Sequence, residues 1–388
     1  MTRPARHRPL LALLLGVALL GGCQTYVGRF VRLRALDADD FRRLPSRAIA
    51  ATPDAVPLTM ALDSSWLPRV AIMLGTRRLT EHAAFDSLLS VNGTTAFIIL
   101  HRGQVVHERY YLGADRDSLS KSFSVSKSVL SALIGIAQAD SLLRTGDSVG
   151  AYVDLPRNPA LAAVRVSHLL DNVSGFRYRK GFAPWKEQPR MYYTPDARGY
   201  VSDAQVVRAP GTQFDAEELS PILAGFVLEQ ALRRARADST LAHYMQIKLW
   251  QPMGAQYDAL WNIDHAGDGL EKTESGLVAR AIDLARFGQL YLDGGTANGV
   301  QVVPADWVAA TVTPPVAGAP NLFSDGFYHN LWWGAARKGR IRSDFYANGH
   351  FGQRIYVSPD KQLVIVRMGR VGGDINWTNM LGGIADRW

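Results

Sequence analysis

The apolar positions alternate between strand-like and helix-like runs. Thr94 to Leu100 (Thr-Thr-Ala-Phe-Ile-Ile-Leu) is rich in β-branched and aromatic residues. His101-Arg102-Gly103-Gln104 turns it back into Val105 to Tyr111, which predicts a β-hairpin at the edge of a sheet. Val129, Leu130, Leu133, Ile134, Ile136 and Ala137 follow at helical spacing and predict a buried helix that opens near Ser122. Phe214, Leu219, Ile222, Leu223, Phe226 and Val227 predict a second long helix. Ala281, Leu284, Ala285, Phe287 and Leu290 predict a third, ended by Gly294-Gly295. Trp332-Trp333-Gly334, Phe345 to Ala347, Arg354 to Val357 and Val364 to Met368 read as successive antiparallel strands, before a last helix from about Ile375. Strands near both ends with helices between them predict an α+β fold with one antiparallel sheet closed by early and late segments.

The remaining stretches are less regular. Residues 24–90 read as a tether and an irregular N-terminal wrap, punctuated by Pro45, Pro53, Pro57 and Pro68. Leu142 to Val153 is turn-rich and leads to an expected short strand at Val164–Val166. A capped short helix follows over Ser167-His168-Leu169-Leu170 and ends at Gly175. His168, alone in a leucine-rich turn, reads as a satisfied structural histidine rather than a base. Residues 177–212, with Tyr178, Phe182, Trp185, Tyr192, Tyr193 and Tyr200, read as a loop-rich rim to a pocket.

Composition narrows the class. With 388 residues, 47% apolar and 20% charged, the chain can bury a large core. Of the formal net charge of +8, Arg3, Arg6 and Arg8 lie in a segment expected to be removed. The rest is dispersed without a basic run, so nucleic acid is not an expected partner. The single cysteine, Cys23, excludes an intrachain disulfide. A basic start, an apolar Leu10 to Leu20 too short for a comfortable span, and Leu20-Gly21-Gly22-Cys23 together resemble a bacterial lipoprotein signal. That resemblance implies removal of residues 1–22, lipidation of Cys23, and, with Gln24 rather than Asp next, an anchor in the outer membrane facing the periplasm. An ordinary secretory signal with a stray cysteine, or a short membrane anchor, are the alternatives.

The candidate chemistry lies where the first helix opens. Ser124 and Lys127 are three residues apart on its first turn, hence on one face and about 4.5 Å apart along the axis. The free N–H groups and the dipole there favour developing negative charge. A partly desolvated lysine can lose its proton and activate the hydroxyl. The spacing alone is weak, since it recurs at Ser118–Lys121 and Ser358–Lys361. The latter reads as a turn between strands and the former lies in a polar stretch; only Ser124–Lys127 leads into a buried helix. A serine-rich helix start with a solvated lysine is the plainer alternative. No His-x-x-x-His or clustered Asp/His spacing points to a metal site, and no cofactor is expected. No Gly-x-Ser-x-Gly points to an α/β-hydrolase.

From Thr94 onward the chain resembles the serine β-lactamase/penicillin-binding-protein superfamily. It is most similar to the class C-like branch of esterases, D-aminopeptidases and 6-aminohexanoate-oligomer hydrolases. The matching stretches are the hairpin Ala96–Gly103 with Glu108 and Tyr110, Phe123–Val129, Val166–Leu170 with Ser174-Gly175, and Pro210–Phe214. Ser275–Leu277, Asp283–Gly288 and Gly349–Gln353 complete the match. The resemblance implies a sheet flanked by helices plus an all-helical lobe (roughly 140–300) inserted in a domain over 91–388. It implies a site between them in which Ser124 is acylated, Lys127 takes and relays its proton, and the Ser124 backbone N–H is one oxyanion donor. His350 is the favoured second donor; a shifted register would place it at Gln353, with Gly349 beside either. The implied partner is a small or peptide-like ester or amide.

One position departs from the pattern. Where the family carries a tyrosine two residues after the phenylalanine of Pro-Gly-Thr-x-Phe, this chain has Ala216, with Glu218 two further on. Three readings follow. Tyr192 or Tyr193 supplies the phenol; Glu217 or Glu218 serves as base or charge partner of Lys127; or turnover is lost and the protein is an envelope binding or sensor lipoprotein. A serine hydrolase, esterase or amidase rather than a true β-lactamase, is the leading expectation.

Overall fold

Eight antiparallel strands form the main sheet, in the order Leu322–Phe323, Gly326–His329, Trp332–Arg337, Arg340–Asn348, Arg354–Ser358, Leu363–Gly369, Thr94–His101, Gln104–Tyr110. The computed structural model describes residues 25–388 except 34–35, 75–76, 155–157, 236–239 and 338. Cys23 and the expected signal segment lie outside the described residues. The early hairpin is the sheet's edge, and the late strand Leu363–Gly369 pairs with it through Val364↔Leu100 and Val366↔Ile98, which closes the sheet as its ends predict.

Alternation along Thr94–His101 explains the layers, because successive side chains point to opposite faces. Ile98 and Leu100 face a core shared with Val125, Val129, Leu133, Phe287 and Leu290. Phe97 and Ile99 face a second core with Trp66, Phe85, Tyr356, Trp377 and Leu381. The helices Val125–Ala139 and Ala281–Leu292 therefore cover one face, and the terminal helix Trp377–Arg387 covers the other. The second lobe is helical, with Glu187–Tyr193, Ala197–Ser202 and Leu219–Ala235 as its main elements.

Two expectations need correction. No strand forms at Val164–Val166: Val164 closes the turn Pro159–Ala163, and Val166 is already the first residue of the helix Val166–Leu170. The pairing there is reduced to a single antiparallel bridge, Arg165 opposite Ser148, with Val149 N–H donating to Val164 O and Val166 N–H to Asp147 O, and both valines are buried. The N-terminal segment is more than an irregular wrap. Ser46–Ile49 pairs with Ala259–Asn262 in a smaller four-stranded antiparallel sheet that also contains Leu277–Ala279 and Ser120–Lys121. The helix Tyr26–Leu33 lies against Glu187–Tyr193, with Phe30 edge-on to Tyr193 at 5.4 Å. Among the described residues no helix is long and apolar enough to cross a membrane.

Candidate active site

The small sheet delivers the chain to the first long helix through a sharp turn. Lys121 pairs with Val278, and Ser122 N–H and Oγ both donate to Leu277 O, at 2.9 and 2.8 Å. Ser126 Oγ accepts from Leu277 N–H at 3.0 Å and donates to Phe123 O at 2.7 Å. Pinned in this way, Phe123 takes φ +49°, a left-handed conformation that a bulky residue rarely adopts and that marks stored strain. The turn places Ser124 as the N-terminal cap of Val125–Ala139 without using its side chain for capping. The hydroxyl is thus left to the cavity.

That cavity has a volume of about 1140 Å³ and is lined by Ser124, Lys127, Ala216, Glu218, Gly349 and His350. Phe30, Leu36, Tyr192, Tyr193, Tyr328 and Trp333 supply much of its apolar wall. Lys127, one turn beyond Ser124, donates from Nζ to Glu217 O at 3.4 Å. Among the described residues no hydrogen bond joins Lys127 Nζ to Ser124 Oγ. Such contacts often tighten only when substrate is bound.

Two backbone N–H groups at the cavity, those of Ser124 and His350, have no partner among the described residues. Gly349 brings the second close to the first: a β-carbon on it would fall 2.5 Å from Ser122 O, so only glycine permits this approach. Phe123 packs on His350 and Phe351 at 5.7 and 5.3 Å between ring centroids. Burial holds the His350 imidazole below its ordinary value, and it is neutral at neutral pH. Gln353 has a different job. Its side chain clamps Gly369 by donating to Gly369 O at 2.6 Å and accepting from Gly369 N–H at 2.8 Å. Its own N–H turns back to His350 O at 3.4 Å.

The groups expected to stand in for the missing tyrosine are otherwise engaged. Tyr192 OH accepts from Lys121 Nζ at 2.8 Å and donates to Asp40 Oδ2 at 3.3 Å. Lys121 is 1% exposed, and burial, with Lys272 adding to it, lowers its ammonium to about 7. The lysine of the discarded Ser118–Lys121 spacing is therefore interior rather than polar surface. Tyr193 lines the cavity against Phe30. Glu218 receives the hydroxyl of Tyr178, and Glu217 takes the Ser220 N–H on both carboxylate oxygens. Neither carboxylate meets the Lys127 ammonium. Burial raises the Glu217 carboxyl to about 7.

A phenol that sequence reading missed is Tyr328. It is buried, lines the cavity with Ala216, and packs on Phe214 and Trp333 at 5.3 and 4.8 Å. Its strand leads into Leu331, whose carbonyl accepts from Ser128 Oγ at 3.0 Å beside Lys127. Its hydroxyl has no partner among the described residues, and burial, reinforced by Glu217, holds it well above the ordinary phenol value. His168 is structural as expected, with Nδ1 accepting from Arg165 N–H at 3.2 Å. Among the described residues no three His, Cys, Asp or Glu side chains are grouped to hold a metal.

Comparison with known proteins identifies the family and the fold. The pattern of the Beta-lactamase family matches residues 89–372. A 6-aminohexanoate-dimer hydrolase of Paenarthrobacter ureafaciens is 25% identical over 354 residues, covering 84% of this chain and 82% of that protein. A Bacillus anthracis structure provisionally assigned as a 6-aminohexanoate-dimer hydrolase superposes with a TM-score of 0.76 at 19% identity, over 100% of this chain and 97% of that one. A family VIII carboxylesterase superposes with a TM-score of 0.60 at 14% identity, over 85% and 99% of the two chains. The chain belongs to the beta-lactamase family and is a hydrolase of the serine β-lactamase fold.

Proposed function

We propose that the protein hydrolyses an ester or amide through an acyl-enzyme, with Ser124 as nucleophile and Lys127 as general base. The observation that carries this reading is that Ser124, Lys127 and the residues bearing two unpartnered N–H groups line one cavity. Ser124 Oγ attacks the carbonyl carbon while its proton passes to Lys127 Nζ. The carbonyl oxygen becomes an oxyanion between the Ser124 and His350 N–H groups. Losing one such donor typically costs about 2.7–4 kcal/mol of transition-state stabilisation. The tetrahedral intermediate then collapses as Tyr328 gives its proton to the leaving group and takes the one held by Lys127. Water then attacks the acyl-enzyme with its proton passing to the now neutral Lys127, and that proton returns to Ser124 Oγ as the acid is released.

Tyr328 supplies the phenol that Ala216 lacks. Because burial keeps it protonated, it acts as a hydrogen-bond donor and acid toward the leaving group rather than as a phenolate base. The likeness to a 6-aminohexanoate-dimer hydrolase supports amides, and that to a carboxylesterase supports esters. Cys23 carries the lipid anchor and holds this domain at the outer membrane, facing the periplasm. A binding or sensor role is the second reading, favoured by Ala216 and by the bond from Lys127 to Glu217 O instead of to Ser124.

The test is turnover of p-nitrophenyl acetate by the wild type, Ser124→Ala and Lys127→Met. Hydrolysis lost in Ser124→Ala and reduced about 10²–10⁴-fold in Lys127→Met is the expected result. No turnover by the folded wild type would favour the binder.

A further inference from the structure

One side of the cavity mouth carries apolar side chains that the fold leaves in water. Val27 and Val31, one turn apart on the helix Tyr26–Leu33, are 65% and 69% exposed. Phe182 and Trp185, on the loop before Glu187–Tyr193, are 60% and 66% exposed. The two segments are fastened together: Tyr26 OH donates to Pro184 O, and the helix lies against Glu187–Tyr193. Both also reach the active site. Phe30 and Phe182 line the cavity, and the Phe182 ring lies 5.9 Å from that of His350. Large apolar side chains left in water on two joined segments mark a surface that something covers.

The charge around these side chains is positive. The helix 26–33 contains no acid, and residues 177–190 contain only Glu187, which is buried and paired with Arg179 at 2.9 Å. Lys180 pairs with Asp215 at 2.9 Å. Arg32, Arg177 and Arg190 are exposed and, like Lys186, form no ion pair among the described residues. Apolar and aromatic side chains ringed by such cations fit a bilayer with anionic headgroups. Covalent geometry points the same way. Tyr26 follows Cys23 by three residues, so the helix begins no more than roughly 10 Å from Cys23 Cα, at about 3.3–3.6 Å per residue. The anchor proposed for Cys23 puts that point at the lipid surface. It leaves the start of the helix no length of chain with which to stand clear.

We propose that Val27, Val31, Phe182 and Trp185 form a membrane-binding face, covered by an anionic phospholipid surface when the protein is anchored. This rests on the reading of Cys23 as the anchor but can fail separately from it. Seated in this way, Trp185 lies at the interface that indole rings favour, and Arg32, Lys186 and Arg190 meet the phosphates. The cavity mouth opens beside the headgroups, because Phe182 belongs both to the face and to the wall over His350. A bare tether would instead leave the domain free to turn in the water above the lipid.

Spin labels on the full chain test the face. They are placed at Val31→Cys, at Trp185→Cys and, as a control, at Val300→Cys on the exposed hairpin after Ala281–Leu292. The vesicles hold phosphatidylcholine with an equal amount of phosphatidylglycerol. At Val31→Cys and Trp185→Cys, collision with a water-soluble nickel complex should fall severalfold on the vesicles and collision with oxygen should rise. Val300→Cys should stay as in buffer, and adding Arg32→Glu with Arg190→Glu should weaken the shielding. The wild-type chain, whose one cysteine is Cys23, takes no label if that thiol is lipidated; if it takes label, Cys23→Ser becomes the background. Nickel collision as free at Val31→Cys and Trp185→Cys as at Val300→Cys, on vesicles that carry the protein, would overturn the proposal and leave the anchor standing. No association with the vesicles would overturn it too. So would full shielding without vesicles, which would mean that a second copy of the chain covers the face. Shielding on vesicles by a chain with unmodified Cys23 would support the face and count against the anchor alone.

Discussion

Gly349 and Ser122 touch across the junction of the two sheets, with no room for a side chain: a β-carbon on Gly349 would meet Ser122 O at 2.5 Å and Gln353 Cβ at 3.0 Å. The contact sets the separation between the His350 N–H and the start of the Ser124 helix. Gly349→Ala is expected to push the two apart and to lower kcat about 10²–10³-fold, the effect of losing one oxyanion donor. Steady-state turnover of p-nitrophenyl acetate measures this. A variant as active as the wild type would remove His350 from the oxyanion site.

Tyr328 and Tyr192 make opposite predictions. Tyr328 presents a hydroxyl without a protein partner to the cavity, whereas that of Tyr192 is engaged by Lys121 and Asp40. Tyr328→Phe should lower kcat by about 10²-fold, within the range of general acid catalysis. Tyr192→Phe should lower the thermal midpoint more than it lowers kcat, because it strips Lys121 of a buried partner. The reverse pattern would return the phenol's role to Tyr192.

Glu217 gives a pH signature. Burial raises its carboxyl from 4.5 to about 7 in the folded chain. Between those values the folded protein keeps a proton that the unfolded chain has released. The group's contribution to stability is therefore fully present below pH 4.5 and is lost as pH rises through about 7. At 1.36 kcal/mol per unit, the loss is at most about 3 kcal/mol. Denaturant unfolding of the wild type and Glu217→Gln across this window should show the decline in the wild type alone. Parallel pH profiles would mean that Glu217 is ionised in the fold.

Periodicity made the framework legible. The Thr94–His101 strand, the Val125–Ala139 helix and the late strands each bury their apolar residues locally, so the pattern of those residues announces them. Ser124 and Lys127 were readable for the same reason, being one turn apart on a helix that the sequence declares. What could not be read depends on contacts across long stretches of chain. Asp40 reaches Tyr192 across 152 positions, and Phe30 and Leu36 line the cavity from a segment rich in charge and proline. Lys121 looks polar in sequence because what buries it, the pairing with Val278 and the contact with Tyr192, comes from distant parts of the chain. Tyr328 sits in a short aromatic strand, and nothing local marks its hydroxyl as aimed into a cavity.

The central claim is that the hydroxyl at position 124 becomes acylated, and peptide mass spectrometry after treatment with a fluorophosphonate probe tests it most directly. The expected result is one adduct, on the peptide containing Ser124, absent from Ser124→Ala and slowed in Lys127→Met. An adduct on any other residue, or none on the folded wild-type chain, would contradict the account.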